Sequence, residues 1–183
     1  MTLADSRLTT GFSLQTKKNM KKVVIVRHAK AVPYGYDDDF TRDLTDRGVN
    51  DAIKIGSELK RMGISPGLMI SSPANRAIQT ARLFAESLGF NINEIVEKEE
   101  IYHGLTTSEF LRLMHGLSEE VQTAFFFGHN PAFHYYVNNL LERFYDDMPT
   151  CSTVAIDFNV DSWKKVEART GKKAFQLIPA MYK

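Results

Sequence analysis

The amino-acid sequence predicts an α/β fold, a three-layer α/β/α sandwich with a largely parallel central sheet. Three observations carry that expectation. An apolar strand, a turn and an amphipathic helix follow one another three times, from Val23, from Gly67 and from Thr123. The strands read as segments built for burial. The chain, 183 residues with 43% hydrophobic content, fits one domain with a sizeable core, and no repeat, low-complexity tract or internal linker divides it. The expected organisation is a single domain over residues 20–183 behind a flexible extension over residues 1–19, with Met20 available as an alternative start.

The first strand, VVIVR from Val23, runs four β-branched residues into Arg27 and His28. The next stretch, AVPYGYDDDFTRD, holds Pro33, Gly35 and the aspartates Asp37, Asp38 and Asp39, which suit a loop. Thr45 is placed to cap a helix in which Val49, Ala52, Ile53, Gly56, Leu59 and Met62 recur at helical spacing. GLMISS, from Gly67, reads as a short buried strand. Pro73 suits the first turn of a second helix, whose stripe is Ala77, Ile78, Ala81, Phe84, Ala85 and Leu88 and whose end is marked by Gly89. NEIVEKEEIY, from Asn93, is expected as a further strand. Thr106 with Glu109 forms a capping box that opens a helix through Phe110, Leu113, Met114 and Leu117. TAFFF, from Thr123, is a strand, and Gly128 and Pro131 lead into another amphipathic helix. At the carboxyl end, STVAIDFNV and the stretch from Trp163 to Ala180 are expected as strands, with Thr170 and Gly171 at a hairpin turn.

The formal charge is +1, with 23 basic against 22 acidic residues, so no global field draws the chain to nucleic acid or to a membrane surface. Anion recognition has to be local. No apolar run approaches the ~20 residues that span a bilayer, and the amino-terminal stretch lacks the apolar centre of a secretion signal. Cys151 is the single cysteine, which excludes an internal disulfide and a cysteine-based zinc cage and favours a reducing, cytoplasmic setting.

In an open parallel sheet, ligands collect beyond the carboxyl ends of the strands. Those ends hold the chemically suspicious residues: Arg27 and His28 after the first strand, Arg76 after GLMISS, and His129 with Asn130 after TAFFF. A cation at the edge of a core is costly unless it is paired or faces water, so the strand must deliver Arg27 to an anion. Arginine presents planar donors that match phosphate oxygens, and the first turn of a helix, where Arg76 falls, adds backbone N–H groups and a favourable dipole. These motifs carry no dedicated acidic partner, and phosphate is the best-matched ligand. A neutral imidazole is a nucleophile, and nearby arginines disfavour its protonated form, so His28 is the candidate phosphoryl acceptor. Its second ring nitrogen needs a partner, expected to be a backbone carbonyl, to set the tautomer. His129, if protonated, would stabilise charge on the transferring group.

Taken singly, each residue has a plainer reading: a hydrogen-bonded strand-end histidine, a helix-surface cation, a loop histidine. Their co-occurrence at three strand ends argues otherwise. A metal site built from His28, His103, His115, His129 and His134 is a rival, but there is no H-E-x-x-H, and His129 and His134 fall about 140° apart on a helix. No Walker loop is present, and TGKK at Thr170 sits in the expected hairpin.

With VRHAKA, SSPANRAIQTA and GHNP in this order, the chain resembles the histidine phosphatase superfamily, and within it the small SixA-like phosphohistidine phosphatases. Order and spacing agree from Lys21 to about Trp163, and DFTRDLTDRG looks like the family's segment before the first helix. The resemblance implies a phosphoglycerate-mutase-like version of the fold, a phosphorylated His28, and a phosphate pocket of Arg27, Arg76 and His129, with Asn130 beside them. Two departures matter. Asp43 stands where this branch often has proline, and EEIYHG offers only His103 where the wider superfamily usually places its general-acid glutamate. The proton donor is unassigned, with Asp37, Asp38, Asp39, Glu100 and His103 as candidates. An alkoxide leaving group gains roughly 10²- to 10⁴-fold from a positioned acid, whereas an imidazole carries its own proton, so weak acid provision favours a phosphohistidine substrate. No long insertion builds a lid, which leaves an open rim suited to a protein side chain.

The expected function is a metal-independent phosphatase that needs no cofactor and acts on phosphohistidine in a protein partner. The alternatives are a phosphatase of small phosphate monoesters and, in another class, a non-catalytic phosphoprotein-binding module. The oligomeric state is left open.

Overall fold

In this computed structural model, which describes residues 20–33 and 38–182, six strands form one sheet: β1 (Lys21–Arg27), β2 (Leu68–Ser71), β3 (Val96–Glu97), β4 (Thr123–Gly128), β5 (Thr153–Phe158) and β6 (Lys172–Leu177). Their spatial order is β3-β2-β4-β1-β5-β6. Parallel pairing joins β3 to β2, β2 to β4 and β4 to β1, while β5 lies antiparallel to both β1 and β6 and so runs alone against the other strands. The sheet is mostly parallel, as expected. The extension over residues 1–19 and Asp37 lie outside the described residues.

Both faces of the sheet are covered. Val23, Ile25, Phe126 and Ile156 point to one side, where α4 (Thr107–His115) and α5 (Ala132–Leu140) supply Phe110, Met114, Phe133 and Val137. Val24, Val26, Phe125, Phe127 and Ala155 point to the other, against Ala52, Ile55 and Leu59 of α1 (Asp46–Arg61) and Ala81, Phe84 and Ala85 of α2 (Asn75–Leu88). Strands covered on both faces are apolar along their centres, which is why β1, β2 and β4 read as hydrophobic runs. Among the described residues no helix is long and apolar enough to cross a membrane.

Local signals set the helix starts. Thr45 caps α1 by accepting from the Gly48 amide at 3.1 Å, and the Thr106 and Glu109 capping box is complete at the start of α4. Gly89 ends α2 in the left-handed region at φ 72. The buried stripe of α1 differs from the expected one: Ile55 completes the ridge of Ala52, Gly56 and Leu59, while Ile53 and Met62 are exposed.

Two stretches depart from the expected strands. NEIVEKEEIY divides into β3, only two exposed residues long, and the short helix α3 (Glu99–His103). Its charges cannot be buried at a sheet edge, and Ile101 is the one side chain of α3 that turns inward. At the carboxyl end there is no hairpin at Thr170 and Gly171. Trp163–Lys165 forms a single tight turn that seats the buried Trp163 ring, with Nε1 donating to the Val121 carbonyl at 2.8 Å, and β6 pairs with β5 instead.

The register brings the working ends of three strands level. Arg27 lies opposite Gly128, and Ser71 opposite Phe127. Gly48 then lets α1 close against the loop that follows β1: a Cβ there would stand 2.1 Å from the Lys30 carbonyl oxygen. Gly48→Ala is therefore expected to cost about 1–3 kcal/mol by overpacking. A lowered urea midpoint checks it; an unchanged midpoint would mean that the helix can shift away without loss.

Candidate active site

β1 stops at Arg27, and the next residue is held by backbone from both sides. The Arg27 amide donates to the Ser152 carbonyl at 3.0 Å, the His28 amide to Gly128 at 2.9 Å, and the Cys151 amide to the His28 carbonyl at 3.0 Å. Cys151 makes that bond from the left-handed region, at φ 62, and is buried. The Ala29 amide donates to Thr80 Oγ1 at 3.0 Å, and that hydroxyl donates to the Arg76 carbonyl at 2.7 Å. Thr80 thus ties the loop after β1 to the first turn of α2.

The His28 ring is oriented within this frame. Its Nδ1 lies 2.7 Å from the Ala29 carbonyl oxygen, which can only accept, so Nδ1 carries the proton and Nε2 keeps a lone pair. Burial pushes the His28 pKa down to about 4; the Ala29 hydrogen bond opposes this, and the charges of Arg76, Arg27 and Arg42 reinforce it. The arginines act in the expected direction, but desolvation is the larger cause.

His129 stands beside it, with ring centroids 5.2 Å apart. Its Nε2 lies 2.8 Å from Ser72 Oγ, a fully buried hydroxyl that also accepts from the Ala74 amide at 3.3 Å. Among the described residues His129 Nε2 is the acceptor placed to take the Ser72 proton, which puts the His129 proton on Nδ1, a buried nitrogen with no partner in the protein. Burial, then repulsion from His28 and Arg76, push its pKa down to about 3, so His129 is a neutral donor rather than the protonated group considered from the sequence.

Arg76, 5% exposed in the first turn of α2, has an acidic partner from outside the three motifs. Its Nη1 donates to the Asp39 carbonyl at 2.7 Å and its Nη2 to Asp39 Oδ2 at 3.0 Å. Arg27 donates Nη1 to the Met148 carbonyl at 2.7 Å, and Asn130 sends its amide to the same oxygen at 3.1 Å. The Nε atoms of both arginines and Asn130 Oδ1 are buried without partners in the protein.

These residues share one cleft of about 620 Å³, lined also by Lys30, Arg42, Tyr102 and His103. All five site residues read from the sequence meet there. The candidate proton donors separate. Asp38 caps a tight turn over Asp39–Thr41 through the Phe40 amide, Glu100 faces Lys98 at 3.8 Å, and His103 and Asp39 line the cleft. His115 and His134 are directed elsewhere, to the carbonyls of Val166 and Asp146. Among the described residues no group of three or more His, Cys, Asp and Glu is placed to hold a metal ion. Asp43, where proline was expected, binds Asn75 Nδ2 at 2.6 Å and Gln79 Nε2 at 2.7 Å, so it fastens its loop to α2. Sequence reasoning missed Ser72, Thr80, Arg42 and Tyr102. Only Ser72 carried a signal, as the last residue of an apolar run that stops before Pro73.

The family model of the histidine phosphatase superfamily (branch 1) matches residues 23–133. The chain belongs to this superfamily. Similar solved structures agree on the fold. A protein histidine phosphatase SixA complexed with tungstate is 20% identical, with a TM-score of 0.77 over 88% of this chain and 99% of that one. A protein named as a phosphohistidine phosphatase SixA from Agrobacterium tumefaciens is 24% identical, with a TM-score of 0.69 over 87% and 98%. A mycobacterial glucosyl-3-phosphoglycerate phosphatase is 13% identical, with a TM-score of 0.59 over 82% and 96%. This histidine phosphatase chain thus shares the phosphoglycerate-mutase-like sheet and helices with proteins named for different substrates.

The ring environments generate a pH expectation. Both histidines have folded values below the usual 6.5, so folding excludes protons; their stabilising contribution is complete above about pH 6.5 and is lost as the pH falls towards 4 and then 3. A ¹⁵N NMR titration of the free protein should place both midpoints well below 6.5. A His28 midpoint at or above 6.5 would contradict a ring held neutral by burial. Ser72→Ala should move the His129 proton between its ring nitrogens, visible in the same spectra, while the fold stays intact by thermal melt.

Proposed function

We propose that this chain is a metal-independent phosphatase that forms a covalent phosphohistidine at His28, with a protein phosphohistidine as its substrate, in a cytoplasmic setting. The single observation that carries the reading is the His28 ring: Nδ1 is committed to the Ala29 carbonyl, which leaves the Nε2 lone pair as the nucleophile in a cleft that holds Arg27, Arg76 and His129. Membership of the histidine phosphatase superfamily supports it.

The chemistry closes without an external proton. His28 Nε2 forms a bond to phosphorus, and the bond from phosphorus to the substrate nitrogen breaks with its electron pair going to that nitrogen. A substrate imidazole protonated on its distal nitrogen leaves as neutral imidazole. Water then attacks the phosphorus, the bond to Nε2 breaks towards the nitrogen, and neutral His28 is regenerated with dihydrogen phosphate as product. Arg27, Arg76 and the His129 Nδ1–H supply donors to the transferring oxygens, where charge has to be held.

A phosphate monoester would leave as an alkoxide and call for an acid. The carboxyl facing the cleft, Asp39, is held below the usual range: burial would raise it, but Arg76 and Arg42 override that effect. It is ionised at neutral pH and has no proton to give. The monoester alternative would therefore rely on Tyr102 or His103.

Rapid-quench samples with intact-mass detection should contain an acid-labile phosphoenzyme, absent in His28→Ala, which should lose nearly all turnover. A normal adduct in His28→Ala would move the nucleophile elsewhere. Activity should survive a strong chelator; complete loss, restored by a divalent ion, would overturn the metal-free mechanism. A panel that sets a phosphohistidine protein against simple esters decides between the two substrate classes.

A further inference from the structure

We propose that Asp39 determines the substrate class of this site: its carboxylate, seated on Arg76, accepts the N–H of a nitrogen leaving group and opposes doubly charged phosphate esters, so that the pocket selects phosphorus–nitrogen bonds. This inference rests on the phosphatase reading above and gives Asp39, there only a carboxyl with no proton to donate, a role of its own.

Asp39 opens the tight turn Asp39–Thr41 and reaches into the cleft that holds His28 and His129. Its Oδ1 accepts from Arg42 Nε and Nη2, both at 2.8 Å. Its Oδ2 accepts from Arg76 Nη2 at 3.0 Å and, more weakly, from the Tyr102 hydroxyl at 3.4 Å. With its carbonyl oxygen also on Arg76 Nη1, one residue engages both terminal nitrogens of the deepest cation in the pocket. An incoming phosphoryl group must share Arg76 with a carboxylate or displace it.

That arrangement treats two kinds of substrate differently. An ester dianion brings two negative charges beside a third, and its leaving oxygen needs a proton that an ionised Asp39 lacks. A phosphohistidine protonated on its distal nitrogen brings a positive ring and an N–H. The carboxylate can receive that N–H in place of the long Tyr102 contact, since a carboxylate offers about four acceptor positions. Tyr102 and His103 line the same cleft with their rings edge to face at 5.4 Å, a setting for a flat aromatic leaving group. Transfer then proceeds with the balance given above. The phosphorus–nitrogen bond breaks towards nitrogen, His28 Nε2 takes the phosphoryl group, and the N–H held by Asp39 stays on the departing neutral ring.

The test compares wild type, Asp39→Asn and Asp39→Glu in turnover of phosphoimidazole and of phenyl phosphate, and in equilibrium binding of tungstate, a tetrahedral oxyanion. In Asp39→Asn, the ratio of kcat/KM for phosphoimidazole to that for phenyl phosphate should fall about tenfold or more, the loss expected for one charge-assisted hydrogen bond. Tungstate should bind more tightly, because Arg76 is no longer neutralised. Asp39→Glu keeps the charge and should stay near wild type in both readouts. A parallel loss on both substrates with unchanged or weaker tungstate binding would make Asp39 a structural support for Arg76 and overturn the proposal. If the wild type turns over neither substrate, the phosphatase reading fails on its own, and the tungstate comparison still decides whether the Asp39 charge opposes an oxyanion. Should Asp39→Asn fail to fold, tungstate binding and the substrate ratio in Asp39→Glu decide, since preserved values support the charge and altered ones count against it.

Discussion

The parallel pairing of β1 with β4 is the constraint on which the site depends. With Arg27 opposite Gly128, both strands end at the same level, and the residues that follow them, His28 and His129, emerge side by side. The pairing of β2 with β4 puts Ser71 opposite Phe127 and so delivers Ser72 to His129. An antiparallel neighbour of β1 would send its carboxyl end to the far side of the sheet. β5 is such a neighbour, and the consequence is used: its amino-terminal approach, through Cys151 and Ser152, reaches the same rim and supplies the donor and acceptor that hold the backbone of Arg27 and His28. Four strand ends of two polarities thus meet at His28, the proposed nucleophile.

Burial at that rim governs the charges. Desolvation is the leading cause of the low values at both histidines, with the arginines as a secondary influence. The two arginines are stabilised in different ways. Arg27 rests on a backbone carbonyl, a dipole that satisfies a donor and leaves the positive charge intact. Arg76 rests on Asp39, which also cancels charge. A buried cation that loses one partner is costly, so the pocket needs such contacts when empty, and an incoming phosphate can take over the one on Arg76 more readily than the one built into the Met148 backbone.

Much of this was legible in the chain because the fold repeats a simple grammar. VVIV, LMI and AFFF are apolar at every position, as a sheet covered on both faces requires, and polar residues such a strand has no other reason to end on, Arg27, Ser71 and His129, come within two residues of each. The capping residues Thr45 and Thr106 marked helix starts through a local interaction that needs no tertiary knowledge. NEIVEKEEIY misled because a two-residue edge strand is made by its neighbour β2 rather than by its own pattern. Trp163 misled in the same way, since its ring is placed by the Val121 carbonyl, far away in sequence. Asp39 was visible only as one of three aspartates in a loop; its pairing with Arg76 is a contact between separate elements, and nothing in spacing or composition distinguishes it from Asp38.

The proposed chemistry and the proposed selectivity fall on different parts of the fold. The distance from His28 to Arg76 is set through Thr80, whose hydroxyl bonds the Ala29 amide on one side and the Arg76 carbonyl on the other, and Thr80 is itself fully buried in α2 against the sheet. A buried helix residue therefore fixes His28, the proposed nucleophile, against its arginine, through the loop that follows β1. Asp39 belongs to a short turn joined to the scaffold through side chains, chiefly Arg42 and Arg76. A loop held by ion pairs at the cleft wall can change its sequence without repacking the core, provided that the buried Arg76 finds another partner. On that division, relatives sharing the frame can diverge in substrate by altering the segment that carries Asp39 while Arg27, His28, Arg76 and His129 keep their places.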